Sequence, residues 1–389
     1  MIIDRLLSSR LKEAASTRPS IILTGARQVG KTTLLKMAFP DAQYVTFDNI
    51  LLAAAAEESP RAFLKRFDGQ VILDEVHYVP ALLRALKEEI DADRAKLGRW
   101  LLTGSQRFEL MKGVSESLAG RIAIIHLETL SSQELRSVGL PAKGDEDLVL
   151  IRGGYPELWK NDDIDSSAWF EDYMRTYIER DLKDIVNVRS LVDFRRFLAI
   201  LAARAGDLLN YSDLGQACGV SNNTIKSWIA ALEISGLAYV LPPYFSNIEK
   251  RFVKTPKLYF ADTGLLCALL GITTLGQLGA SAYAGAVWEN YVAGELIKTK
   301  GAIPGRDFFF FRDHAGTEID FVLDKPDGVT LIEAKRSERI RPERLSFGAG
   351  HKLFHGRTIR SFVAAPTGEA LPLTMNGYAL FDPRYQALS

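Results

Sequence analysis

The chain has 389 residues, 48 basic and 48 acidic side chains, and a formal net charge of +0. Its length predicts about two to three domains, and 47% hydrophobic with 25% charged residues is the balance of a soluble globular protein without a disordered tail. Neutrality excludes the global basicity of many nucleic-acid binders, so any such contact must come from a local patch or from assembly.

The N-terminus, Met1-Ile2-Ile3-Asp4-Arg5-Leu6, lacks a basic-then-apolar signal pattern. No apolar run approaches the roughly 20 residues of a membrane span, so a cytoplasmic protein without a membrane partner is expected. The first chemical signal follows. Ile21-Ile22-Leu23 reads as a buried strand, and Gly25-Ala26-Arg27-Gln28-Val29-Gly30-Lys31-Thr32 is a complete G-x-x-x-x-G-K-[ST] phosphate-binding loop, with Thr33 onward forming an amphipathic helix. Two glycines four residues apart let the backbone curl so that N–H groups point inward at a helix N-terminus, a nest for anions. Lys31 is expected on the β and γ phosphates of ATP, and the Thr32 hydroxyl in the shell of a Mg²⁺.

Gln70-Val71-Ile72-Leu73-Asp74-Glu75 is an apolar run ending in two carboxylates, as a buried parallel strand opening on a ligand crevice should be. Asp74 would hold the Mg²⁺ through water, and Glu75 would orient and deprotonate the attacking water. Arg99 to Gln106 reads as a third strand, placing Ser105 or Gln106 within reach of the γ-phosphate.

The order of phosphate loop, acidic strand, Leu102-Thr103-Gly104-Ser105-Gln106 and then Ser115-Glu116-Ser117-Leu118-Ala119-Gly120-Arg121 resembles the prokaryotic AAA-type ATPases of the AAA+ superfamily that carry a C-terminal domain of unknown function. Gly153-Gly154-Tyr155-Pro156, Tyr177-Ile178-Glu179-Arg180-Asp181-Leu182 and Pro256 to Leu265 extend the resemblance along nearly the whole chain. It implies active sites shared between subunits, with Arg121 the leading candidate for an arginine finger and Arg107 and Arg152 as alternatives. A finger in trans needs a homo-oligomer, with a ring, hexameric as one candidate size, as the expected form. Such a guanidinium is worth about 10³ to 10⁵ in phosphoryl transfer. The competing reading of Arg121 is a structural ion pair beside the next strand, Ile122 to Leu127.

Residues 1–150 alternate strands and helices, predicting an α/β P-loop ATPase core with a parallel sheet. A breaker-rich stretch, Pro141 to Asp147, precedes a helical lid over 151–195, in which Trp169, Phe170, Tyr173 and Tyr177 form a stripe read as core. Over 196–262 the pattern is a winged helix-turn-helix: Tyr211 to Ala217, a turn at Cys218-Gly219-Val220, a second helix from an N-cap at Ser221, and a wing from Leu237 to Leu241 paired with Lys257 to Phe260. Asn222, Asn223 and Lys226 would face DNA, with Lys250, Arg251 and Lys254 adding charge in the wing. Packing or protein contact is the alternative use of this module. Cys218 and Cys267 read as buried thiols in a reducing compartment.

Residues 263–389 carry Glu289 on a helix, Asp320 in a hairpin, and Glu333-Ala334-Lys335 on the next strand. Glu, then Asp, then E-x-K is the order of the PD-(D/E)XK nuclease fold, a module the resembled family commonly includes. Strand alternation puts Glu333 and Lys335 on one face. Asp320 and Glu333 would bind a hard cation, Lys335 would position the water, and Glu289 would orient the shell. The alternative is a surface ion-pair cluster. Two functions are therefore expected to compete: an oligomeric ATPase acting on DNA, and a nucleotide-dependent switch whose C-terminal modules bind protein partners and cut nothing.

Overall fold

The structure, a computed structural model, describes residues 2–104, 114, 117–178, 190–245, 255–337, 340–368, 373–375 and 377–388. It divides into two compact units, Ile2–Glu128 with Ile234–Gly236, and Thr129–Glu233 with Leu237–Ser389.

The first unit is built on five strands: β1 (Ser20–Thr24), β2 (Gln43–Thr46), β3 (Val71–Asp74), β4 (Trp100–Thr103) and β5 (Ile122–His126), in the order β2-β3-β4-β1-β5. Every pairing is parallel. That requires both faces to be covered, which is why β1, β3 and β4 read as unbroken apolar runs and are buried throughout. Helices Lys31–Ala38 and Pro80–Ala92 supply part of the cover, and Ile22, Phe63, Leu73, Leu82, Leu86 and Leu102 share one core. Strand register sets the site. Leu23 lies opposite Thr103, Leu73 opposite Leu102, and Thr46 opposite Asp74, so the carboxyl ends of β1, β2, β3 and β4 finish along one edge.

In the second unit the helix Ser166–Tyr173 stacks its aromatic side on Tyr155, with Trp169 and Tyr173 ring centroids 4.9 and 5.1 Å from that of Tyr155. Trp169, Phe170 and Tyr173 of the expected stripe thus share one aromatic cluster with Tyr155. Tyr177 contributes its backbone to a single π turn, Met174–Ile178, and Glu179 to Leu182 lie outside the described residues. The Gly-Gly-Tyr-Pro and Ala-Asp-Thr-Gly segments turn out to lock onto each other. Gly154 N–H donates to Asp262 at 2.7 Å, while Asp262 also receives the N–H groups of Gly264 and Leu265 as the N-cap of the helix Thr263–Leu269. A Cβ on Gly153 would sit 2.0 Å from the Asp262 carboxylate and one on Gly154 2.4 Å from the Leu130 carbonyl, so glycine is required at both. Asp262→Ala removes one buried acceptor from three donors and is expected to cost roughly 2 to 4 kcal/mol of stability, read as a lowered urea midpoint.

Three helices follow, Leu191–Ala203, Tyr211–Cys218 and Asn222–Ile234, and the first and third pack through Phe194, Phe197 and Trp228. They are followed by the antiparallel pair β6 (Ala238–Leu241) and β7 (Lys257–Phe260). Ser221 Oγ accepts from Thr224 N–H, and the second helix runs one turn beyond Ile229. The wing residues Lys250, Arg251 and Lys254 lie outside the described residues.

A six-stranded sheet closes the unit: β8 (Phe308–Arg312), β9 (Glu318–Lys325), β10 (Gly328–Ala334), β11 (Ile359–Ala364), β12 (Leu373–Met375) and β13 (Tyr378–Phe381), ordered β12-β13-β11-β10-β9-β8. The meander β8-β9-β10 is antiparallel, whereas β11 and β13 run parallel to β10. The helix Ala284–Lys300 is anchored to this sheet by Trp288, whose indole N–H donates to Ala364 O at 3.0 Å. Cys218 and Cys267 are buried thiols, and burial pushes Cys267 up to about 12. No helix among the described residues is long and apolar enough to cross a membrane.

Candidate functional site

The loop after β1 curls as its glycines allow. Gly25 has φ +149° and Gly30 φ +95°, and a Cβ on Gly25 would lie 2.3 Å from Leu127 O. Gly30 is the left-handed cap of the helix Lys31–Ala38, and Gln28 joins it at φ 62°. The loop is held from outside by Arg5, which donates to Val29 O at 2.8 Å and Glu128 O at 2.6 Å. Lys31 lies against the loop, donating to Gly25 O at 3.2 Å and Ala26 O at 2.8 Å. Burial lowers its pKa to about 8, against the opposing pull of Glu75 and Asp74.

Asp74, at the end of β3, gathers three hydroxyls. Thr32 Oγ1 donates to it at 3.0 Å, Tyr44 OH at 2.8 Å, and Thr103 Oγ1 from β4 makes the third bond. The Tyr44 hydroxyl is raised to about 12 by burial and by Asp74. Glu75 follows with φ 56°, a left-handed conformation shared, among described non-glycine residues, with Gln28 alone. Its N–H donates to Thr103 Oγ1 at 3.2 Å, and its carboxylate lies 3.1 Å from the buried His77 Nδ1, without hydrogen-bond alignment. Two strained residues at one strand-end crevice mark it as a place where geometry is imposed by the surroundings.

Ser105, Gln106 and Arg107 lie outside the described residues, as do Ser115 and Glu116. Arg121 holds Asp91 with two bonds, 2.8 and 2.7 Å, and Ala119 O with a third, and this pairing lowers the Asp91 carboxyl far below its usual range. In this structure Arg121 is an ion-pair residue. Arg152 pairs with Asp162 at 3.5 Å.

Asn222, Asn223 and Lys226 are exposed, with the Lys226 ammonium 5.7 Å from the Tyr211 ring. In the C-terminal sheet the hairpin does bring Asp320 beside Glu333 and Lys335. The Lys335 ammonium lies 3.3 Å from Asp320 and 2.7 Å from Glu333, while Ala334 N–H donates to Asp320 and Ser346 N–H to Glu333. Glu289 is pushed up to about 7 by burial and the nearby Asp320 charge, and it receives Tyr259 OH at 2.7 Å and Lys257 at 3.1 Å. Lys257 also pairs with Glu318. Lysines thus occupy the space between these carboxylates, and among the described residues no group of three or more His, Cys, Asp or Glu is disposed to hold a metal ion.

Arg5, Tyr44 and Thr103 were not singled out by sequence reasoning. Thr103 was visible as the last residue of an apolar strand, and Tyr44 as an aromatic one strand upstream of Asp74. Nothing in local spacing points to Arg5, whose partners are 24 and 123 residues away.

A parallel α/β sheet, a phosphate loop after β1 and an acid-ended β3 define the core of an AAA-type P-loop ATPase, and residues 17–136 match the family model of the AAA domain. Residues 145–276 and 284–376 match two domains of unknown function, DUF8612 and DUF4143. The chain belongs to the family of the uncharacterized proteins Rv2008c of Mycobacterium tuberculosis and Mb2031c of Mycobacterium bovis, with 32% identity to each over 87% of this chain and 75% of theirs. It is similar to the solved Walker-type ATPase of Pyrococcus abyssi at 17% identity, covering 69% of this chain and 96% of that one, with a TM-score of 0.45.

Proposed function

We propose that the protein hydrolyses ATP as a homo-oligomer and uses the resulting motion to act on DNA through the helix-turn-helix and the C-terminal sheet. The observation that carries this reading is the meeting of Lys31, Thr32, Asp74 and Glu75 at one edge of the sheet. The loop N–H groups and Lys31 would hold the phosphates, and Glu75 would take the proton of the attacking water. Mg²⁺ fits the pair Thr32 and Asp74, which offer hard oxygen donors 3.0 Å apart, and bound there it would neutralise phosphate charge. Ser105 is a candidate second contact to the γ-phosphate. An oligomer is supported by Ile50 and Leu51, 82% and 81% exposed at the start of a helix, and by the exposed Ile124 of edge strand β5. In such an assembly Arg121 would serve as the finger once released from Asp91.

We place the ATPase core at 1–150, the lid at 151–195, the winged helix at 196–262 and the nuclease-like domain at 263–389. The last is supported by the convergence of Asp320, Glu333 and Lys335, with Glu289 entering from the helix. A second reading, a switch that binds protein partners, is favoured by the charge of the candidate recognition helix, Asn222–Ile234, which holds one lysine and no arginine. ATP turnover with single-stranded, duplex and branched DNA separates the two. Stimulation that fades as salt rises is the expected result, since phosphate contacts release counterions. Unchanged turnover without DNA retention would establish the switch reading instead.

A further inference from the structure

Glu75 and His77 are brought together by the way β3 ends. The left-handed φ of Glu75, 56°, turns the chain out of the strand and into a single 3₁₀ turn, Val76–Tyr78. The turn is closed by the N–H groups of Tyr78 and Val79, which donate to Glu75 O and Val76 O at 3.1 Å each. Val76 and Val79 are fully buried and anchor it, and Pro80 opens the next helix directly behind it. This fixed backbone leaves His77 Nδ1 3.1 Å from Glu75 Oε2. The Tyr78 ring lies against the imidazole, with centroids 4.1 Å apart.

A histidine in this place needs a reason. Its side chain is 3% exposed, and neither ring nitrogen has an aligned hydrogen bond among the described residues. A polar group withdrawn from water without a bond opposes folding, and an apolar side chain of similar size would fill the space without that cost. The separation from Glu75 is that of a hydrogen bond, and only the angle fails. The Glu75 side chain is 21% exposed, so packing does not lock its carboxylate and a small rotation corrects the angle. A general base is commonly oriented by a further group, and such bonds often reach full alignment only in the substrate complex.

We propose that His77 is the positioning residue of Glu75: its Nδ1–H holds Oε2, so that Oε1 is the oxygen presented to the attacking water. The inference rests on Glu75 being the base of ATP hydrolysis. In that step the water oxygen bonds to the γ-phosphorus, the bond from that phosphorus to the β–γ bridging oxygen breaks, ADP leaves with the electron pair, and a proton of the water goes to Oε1. His77 touches neither the water nor the phosphate. It restrains a flexible carboxylate, and an ionised acceptor makes the restraining bond a strong one.

Hydrolysis of ATP with Mg²⁺ by the full chain, with and without Glu75→Gln, tests this. His77→Leu keeps much of the volume and removes the donor, whereas His77→Asn returns an N–H near the place of Nδ1. We expect the leucine protein to lose about tenfold to a hundredfold in kcat, the worth of one hydrogen bond to a charged group, at an unchanged KM, and the asparagine protein to recover most of that loss. On Glu75→Gln, His77→Leu should remove nothing further, because a residue that acts through the base has no effect once the base is gone. Where leucine prevents folding, seen in the urea midpoint, His77→Ala takes its place in the same comparison. Wild-type kcat for the leucine protein, an asparagine protein no better than leucine, or the same factor lost again on Glu75→Gln each overturns the proposal and leaves Glu75 as the base. Wild-type kcat for Glu75→Gln alone removes the base assignment and the proposal with it.

Discussion

ATP turnover by a Glu75→Gln protein falls by about 10²- to 10⁴-fold, the usual contribution of a positioned general base, while nucleotide binding persists. The separation is expected because the residue's place is fixed by its backbone. Its N–H is tied to Thr103 Oγ1 and its φ of 56° turns it out of β3 as the strand ends. Glutamine keeps the volume and that backbone bond and removes the proton acceptor. Asp74→Asn is the contrasting change: it disturbs the carboxylate on which Thr32, Tyr44 and Thr103 converge, so affinity for nucleotide with Mg²⁺ should suffer as well. Single-turnover hydrolysis beside equilibrium binding of a labelled ATP analogue separates the two. Wild-type turnover by the glutamine protein would move the base elsewhere.

The phosphate loop and the Asp74-Glu75 pair were legible because each is a local pattern whose chemistry depends on neighbours in sequence. The groups that shape them were not, because they depend on strand register. Thr103 reaches Asp74 since β4 is inserted between β1 and β3, an order that spacing cannot reveal. Asp262 was readable as part of a family-marking segment, yet its role emerges only from Gly154, 108 residues away. The same distance problem hid Lys257. From the sequence it is the first residue of a wing strand; in the fold its ammonium sits between Glu289 and Glu318, so Glu289, one of the expected carboxylates, is already paired. For Arg121 both readings were open, and the bidentate Asp91 contact is the ion-pair one.

Lys31→Ala should reduce turnover on the order of 10²- to 10³-fold, as expected when one fixed donor to developing phosphate charge is removed, and should weaken ATP binding too. The resting geometry adds a pH signature. The buried ammonium donates to Gly25 O and Ala26 O, and desolvation lowers its pKa to about 8. Bound phosphates favour the charged form and raise the pKa, so binding takes up a proton above pH 8. Affinity should therefore be full below pH 8 and decline as pH rises through it, by up to about tenfold per unit. Stability moves the other way. The unfolded lysine titrates near 10.5, so between about pH 8 and 10.5 the unfolded chain holds more protons than the fold and stability rises with pH. Below that window the charged lysine costs the nucleotide-free protein about 3 kcal/mol, a cost that Lys31→Met should remove together with binding. A methionine protein that unfolds at lower urea than wild type at pH 7 would mean that the ammonium stabilises the empty loop, and the predicted loss of affinity above pH 8 would have no physical basis.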